Sequence, residues 1–395
     1  MVRAQDPGQR HWALTALAIQ LAKGLGLHST RSNNNFKPLE RELRLRLWHV
    51  LRTVDFRAAF DRGMEPIIKQ DSYDTPLPSN LNDEDLTEAM TVLPLPHKSL
   101  TDMSSSIVVS EGISMTLKLY HLQTHHTTTD FPSDIWTHRL GLVTEYESSM
   151  NSRFSQHCDS QIPYQWQIVY VINVISEYCR LLAVRPMSRF SDQSMPRPME
   201  SSQQVLERAL RSLRAEGIFF SAEPSKGFRW YAWVHWYVLA VALVELLATP
   251  QLMYEDAIWH IVSTAYQRQR QLVADTAEGP LWRPLKKLME RAEHIRLNFP
   301  DLSNVRNNSI QAAPKSTPLP PAPDIPYDVS IPPESTTYDM IDAFAQPFDI
   351  WGMIATGTQD AASDTMHMPA TNDSFLYWDQ FLGDFTNVDS NSVWM

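Results

Sequence analysis

His121 and His125 stand four residues apart with His126 beside them, a spacing that puts two imidazoles on one helix face and suits a metal pair. A metal ion needs a third and a fourth ligand, and none is evident nearby, so a polar cluster at a loop edge is the competing reading. Cys158 follows His157, but neighbours in sequence are not by that fact a nucleophile and its base. Gly24-Leu25-Gly26 lacks the third glycine of a dinucleotide loop and follows a helical pattern rather than a strand. No HExxH, GxSxG or GxxxxGK[ST] pattern is present. The residues point to no catalytic, cofactor-binding or metal constellation, and the expectation is a protein that is not an enzyme.

A different chemistry sits near the end of the chain. Residues 375–385 read Phe-Leu-Tyr-Trp-Asp-Gln-Phe-Leu-Gly-Asp-Phe, and Phe375, Trp378, Phe381, Leu382 and Phe385 share one face if that stretch becomes helical on binding. Interleaved acids repel one another and hold the aromatics in water, where a partner can capture them; this is the compositional mark of an activation segment. The transcription machinery or a coactivator is the partner it would recruit. Docking back onto the body as a last helix is the alternative.

These residues need elements to carry them. Of the 395 residues, 43% are hydrophobic and only 12 are glycine, which argues for a real core and against a sheet-rich fold. The net charge of −11 belongs to one region: residues 301–395 hold 13 acids against Arg306 and Lys315, leaving residues 1–300 neutral. A neutral body has no general attraction for nucleic acid. Two cysteines, Cys158 and Cys179, cannot make a disulfide framework and favour a reducing compartment. The first twelve residues are polar, without a signal-peptide core.

Helical periodicity marks residues 10–23, through Trp12, Leu14, Leu17, Ala18 and Leu21, with Gly24 and Gly26 as the stop. Pro38 starts a second helix, whose apolar stripe is Leu43, Leu47, Trp48, Leu51, Val54 and Ala58. Arg41, Arg44, Arg46 and Arg52 are expected on its outer side. Residues 71–85 read as an extended connection. Residues 166–184 and 230–248 are apolar enough for core helices. The second window could also span a membrane, although His235 and Glu245 would be costly in lipid. Helical patterns resume over 256–274 and 281–298. Lys286, Lys287, Arg291 and Arg296 give the last helix a basic side, read as a solvated face or an import signal. Ten prolines between Pro314 and Pro369 then make residues 301–395 a linker and disordered acidic tail. The expected fold is all-α, a multi-helix body over residues 1–300 followed by that tail.

Three pieces between Trp12 and Leu86 resemble the middle regulatory domain of fungal Zn(II)2Cys6 transcription factors. They are Ala22-Lys23-Gly24-Leu25-Gly26-Leu27-His28, then Glu42 to His49 with Val54-Asp55-Phe56-Arg57-Ala58-Ala59. Last comes Gly63-Met64-Glu65-Pro66 leading into the run from Asp74 to Leu86. The resemblance implies an all-helical domain modulating a nuclear activator, often of a metabolic or secondary-metabolite gene set. Its motif residues are Arg44, Arg46, Trp48, Asp55, Gly63, Pro78, Asn80 and Asp83, read as structural. Arg44 and Arg46 are expected to pair with acids such as Asp55 or Asp83, and Trp48 to pack in the core.

Two departures stand out. His49 replaces the second aromatic that often follows the tryptophan, and the six-cysteine zinc cluster is absent. No cofactor is therefore expected in this chain, and zinc only if an upstream segment is missing. DNA would be reached through that cluster or through a partner, and dimerisation is left open. The other reading is a non-enzymatic interaction scaffold, with membrane attachment through residues 230–248.

Overall fold

A computed structural model describes residues 9–60, 65–124, 135–184, 200–229, 235–272 and 282–298, and every regular element among them is helical. The long helices are α1 (Gln9–Gly24), α3 (Pro38–Phe60), α4 (Ser104–Thr124), α5 (Ile135–Arg153) and α6 (Pro163–Val184). They continue with α7 (Ser202–Ser221), α8 (Trp236–Ala248), α9 (Asp256–Leu272) and α10 (Trp282–Asn298). A single turn, α2 (Thr30–Asn33), separates the first two. Residues 301–395, with the candidate activation face, lie outside the described residues, as do Gly63, His125 and His126.

Local chemistry sets the ends. Gly26 takes φ +74°, and the amides of Leu27 and Gly26 bond back to the carbonyls of Ala22 (3.0 Å) and Lys23 (2.9 Å). That pair of bonds is a Schellman close, with Leu27 packing near Ala22 as its apolar partner. Pro38 and Pro163 open α3 and α6 at the first turn, where a missing N–H costs nothing. Ser201 and Gln204 form a reciprocal capping box at the start of α7.

Packing runs in a chain of neighbours. α1 lies on α3, α3 on α4, α4 on α6, α6 on α7 and α7 on α8, with α5 bridging α4 and α6 and α9 and α10 closing over α8. α8 is the innermost element: every residue from Trp236 to Leu246 is buried. Its Trp236 indole donates to the Phe60 carbonyl at 3.1 Å, tying it to the end of α3. The apolar window over residues 230–248 therefore contains a helix of 13 residues enclosed by protein rather than lipid, about 20 Å long against a hydrocarbon core of about 30 Å. α6 is long and apolar enough to cross a membrane, but most of it is buried inside this body.

A buried cation fixes α5. Arg139, 1% exposed, donates to the carbonyls of Leu119 (2.9 Å), Leu182 (2.8 Å) and Ala183 (2.9 Å), near the C-terminal ends of α4 and α6. Burial draws its guanidinium down to about 10, so it remains charged at neutral pH, where the negative helix ends favour it.

The faces of α1 and α3 differ from the expected ones. Leu14, Leu17 and Leu21 are more than half exposed, and Ile19 and Ala22 are buried instead. Leu43 and Leu47 are each 49% exposed, whereas Glu42, His49, Arg52 and Asp55 are buried. The segment between α3 and α4 covers Glu42, His49 and Asp55, and α4 itself covers Arg52, which donates to the Ser110 carbonyl at 3.1 Å and to the Ser114 hydroxyl at 2.7 Å.

Candidate functional site

The motif residues converge on that contact. Residues 65–103 run as a strap with one short 3-10 turn at Asp83–Asp85, and they cross α3 from its C-terminal to its N-terminal half. Asp55, fully buried, accepts from the amides of Ile67 (3.2 Å) and Ile68 (2.7 Å), which pins the start of the strap. Burial raises its carboxyl, and those two N–H donors act against that rise. His49 bonds through Nε2 to the Pro76 carbonyl at 2.9 Å. Burial, with Arg52 adding to it, lowers the ring to about 4, so it is neutral and Nε2–H is the donor.

Glu42 is the next fastening. One of its oxygens accepts from the Ser79 amide at 3.1 Å and from Arg46 Nε at 3.3 Å. Arg46 reaches on to Asp83 at 2.5 Å and to the Leu81 carbonyl at 3.4 Å. Arg44 takes no acid: it donates to Asn33 at 2.9 Å and to the Leu25 carbonyl at 2.5 Å, with its guanidinium 4.0 Å above the Phe36 ring. It thus ties α3 to the turn after α1, and the acid expected for it lies elsewhere. Pro78 is buried. Asn80 is a hub, donating to the carbonyls of His97 (2.9 Å) and Ser99 (2.8 Å) while Thr101 (2.7 Å) and Ser104 (3.0 Å) donate to its oxygen. Trp48, 0% exposed, sits with Ile19, Ala22, Leu27 and Ile68, its ring tilted against His28 and Tyr73. Every one of these contacts is consumed in holding the fold.

A cavity beside α4 is the other feature. It lies between α4, α6 and the end of α7, with Arg57 from α3 and His235 at the start of α8, and its volume is about 50 Å³. Tyr170 and Phe219 stack across α6 and α7 with centroids 4.4 Å apart, and Phe220 stands perpendicular to Phe219. Val109, Ile113, Val174 and Ile175 supply aliphatic wall. A Cβ on Gly112 would meet Ile175 at 2.8 Å, so that glycine lets α4 and α6 approach beneath the cavity. His235 is lowered to about 4 by burial, with Arg57 adding to it, and is neutral. Sequence reading gave no hint of this cavity, because its lining residues read individually as core.

Neither cysteine fits a zinc cluster. Cys179 is fully buried in α6 and Cys158 is half-buried; both are free, and burial pushes their thiols to about 12 and about 11. Among the described residues no group of three His, Cys, Asp or Glu side chains comes together to hold a metal.

The described residues thus form an all-helical bundle whose N-terminal helices are bound by the strap. Residues 5–214 match the fungal specific transcription factor domain, and the chain belongs to that family. It is 28% identical over 305 residues to the C6 finger domain transcription factor nscR of Aspergillus fumigatus, covering 73% of this chain and 38% of that protein. It is 24% identical over 352 residues to the C6 finger domain transcription factor adaR of Aspergillus niger, covering 82% and 44%. The chain thus spans less than half the length of these relatives. No solved structure matches it.

Proposed function

We propose that this chain is the regulatory body of a nuclear transcriptional regulator that controls a metabolic or secondary-metabolite gene set and has no enzymatic activity of its own. The observation that carries this reading is the family match over residues 5–214, together with relatives described as C6 finger domain transcription factors. On this reading the helical body transmits a signal, and the acidic-aromatic segment around Phe375, Trp378, Phe381, Leu382 and Phe385 recruits the transcription machinery or a coactivator. DNA is reached through a zinc cluster on an upstream segment, or through a partner protein, and zinc belongs to that segment rather than to residues 1–395.

Fusing residues 301–395 to a foreign DNA-binding domain tests the recruiting role. Reporter output is expected from the intact segment and is expected to drop severalfold when Phe375, Trp378 and Phe381 are replaced by alanine. Silence from the intact fusion would remove the activator reading and leave an interaction scaffold.

A further inference from the structure

The outer side of α1 is apolar and uncovered. Leu14, Leu17 and Leu21 are 54%, 57% and 63% exposed, and Leu25, whose amide bonds back to the Leu21 carbonyl at 2.9 Å, continues the row at 64%. Steps of three, four and four residues keep the row on one side of the helix, away from Thr15, Ile19 and Ala22, which are buried. Covering such a row removes apolar surface from water, which favours a docked partner. The local charge says which kind. Residues 9–39 hold Arg10, Lys23, Arg31 and Lys37 and no acid, in a body that is neutral over residues 1–300. A second copy would bring the same bases to the contact and be repelled, whereas an acidic amphipathic segment is attracted.

We propose that the occupant is the chain's own segment 375–385, docked as a helix along the Leu14–Leu25 row. Lys315 is the last base of the sequence, and Asp373, Asp379, Asp384 and Asp389 fall in or beside the segment. Its apolar face, Phe375 to Phe385, would be about 15 Å long as a helix, against about 16 Å from Leu14 to Leu25. The 76 residues between Asn298 and Phe375, taken as a coil, span roughly 50 Å, and a body of about 300 residues has a radius of gyration of about 19 Å. The segment therefore reaches α1 wherever α10 ends, and the tether makes a weak contact suffice. While docked, Trp378 and Phe381 are withheld from any other partner, so α1 and a coactivator compete for one face. That consequence rests on reading the segment as a recruiting one; the docking itself does not.

The test is hydrogen exchange of the full chain. Amides of residues 375–385 should exchange at least about tenfold more slowly in the parent than in a Leu17→Glu, Leu21→Glu double variant. Leu297→Glu, at the exposed end of α10, should change nothing. Amides of the innermost helix, α8, report whether the body stays intact. If they too exchange faster in the double variant, Trp378→Ser with Phe381→Ser replaces it, and α1 should then lose protection while α8 keeps it. Arg31→Glu with Lys37→Glu should cut the protection severalfold, as should added salt. Coil-like exchange of 375–385 in the parent would overturn the proposal, as would protection that survives the leucine variant with α8 intact. Protection lost on dilution would also overturn it, by assigning the contact to a second copy. In the full chain fused to a foreign DNA-binding domain, the leucine variant should raise reporter output severalfold. If residues 301–395 alone are silent while the exchange result holds, the docking stands and only the recruiting reading falls.

Discussion

At the scale of single residues, burial decides which polar contacts matter. Glu42 and Asp83 both hold Arg46, yet Glu42 is 1% exposed and Asp83 is 77% exposed at its side chain. The exposed pair is screened by water and is worth at most about 1 kcal/mol. Replacing Glu42 strands the Ser79 amide and the Arg46 Nε–H in a desolvated place, and that costs roughly 2–3 kcal/mol. Urea denaturation should therefore show Glu42→Ala strongly destabilised and Asp83→Ala within about 1 kcal/mol of the parent; equal losses would mean the strap is held mainly from its exposed end. The types at these positions were legible in the sequence, as was the core role of Trp48. Which arginine meets which acid was not, because pairing depends on how the strap crosses α3. A helical-wheel reading assumes water on the polar side, and here protein lies there instead.

Among the elements, legibility followed the strength of local signals. Proline at the first turn marks α3, and a near-continuous apolar run marks α6 and α8. Helices α4 and α5 carry weaker patterns, whereas Val205, Leu206, Ala209, Leu210 and Leu213 give α7 a plain helical stripe. In α4 the hydroxyls of Ser114 and Thr116 bond carbonyls one turn back, at 3.0 Å and 2.9 Å, and also meet Arg52 of α3 and Cys179 of α6, so polar residues face the bundle and blur the periodicity. For α7 the Ser201–Gln204 capping box was a usable start signal. The end of α1 is the sharpest case of a residue type demanded by backbone geometry. Gly26 has a left-handed φ, and any Cβ there would overlap the Ser32 side chain. Gly26→Ala should lower stability by more than about 1 kcal/mol in thermal or urea unfolding, whereas Gly24→Ala, with nothing within 4 Å of the added carbon, should be neutral or mildly stabilising.

Over the whole molecule, the buried histidines make stability depend on pH. His49 and His235 titrate near 4 in the folded protein and near 6.5 when unfolded. Above pH 6.5 both states are neutral and the full stability is present. Between pH 6.5 and 4 the unfolded chain takes up protons that the folded one refuses, so stability falls with pH, by about 1.4 kcal/mol per histidine at pH 5.5. The raised carboxyls of Asp55, Glu177 and Glu216 act in the opposite sense, since there the folded state holds the proton more tightly. Denaturation at pH 7 and pH 5.5 should show a loss in the parent that shrinks by about that amount in His49→Phe; an unchanged slope would mean that His49 is not sequestered.

The bond from Trp236 to Phe60 joins positions 176 residues apart, and it separates two units that are easily confused. The family domain is matched over residues 5–214, a stretch that ends inside α7 and before α8 begins. The thermodynamic unit does not stop there, because α7 buries its inner face against the helix that comes later. A ribosome that has delivered only the matched domain has released a chain with its centre still missing. Nascent α7 must wait, with its apolar face uncovered, until some thirty more residues emerge to complete α8. During that interval the protein is exposed to the chaperones and proteases that sort incomplete folds.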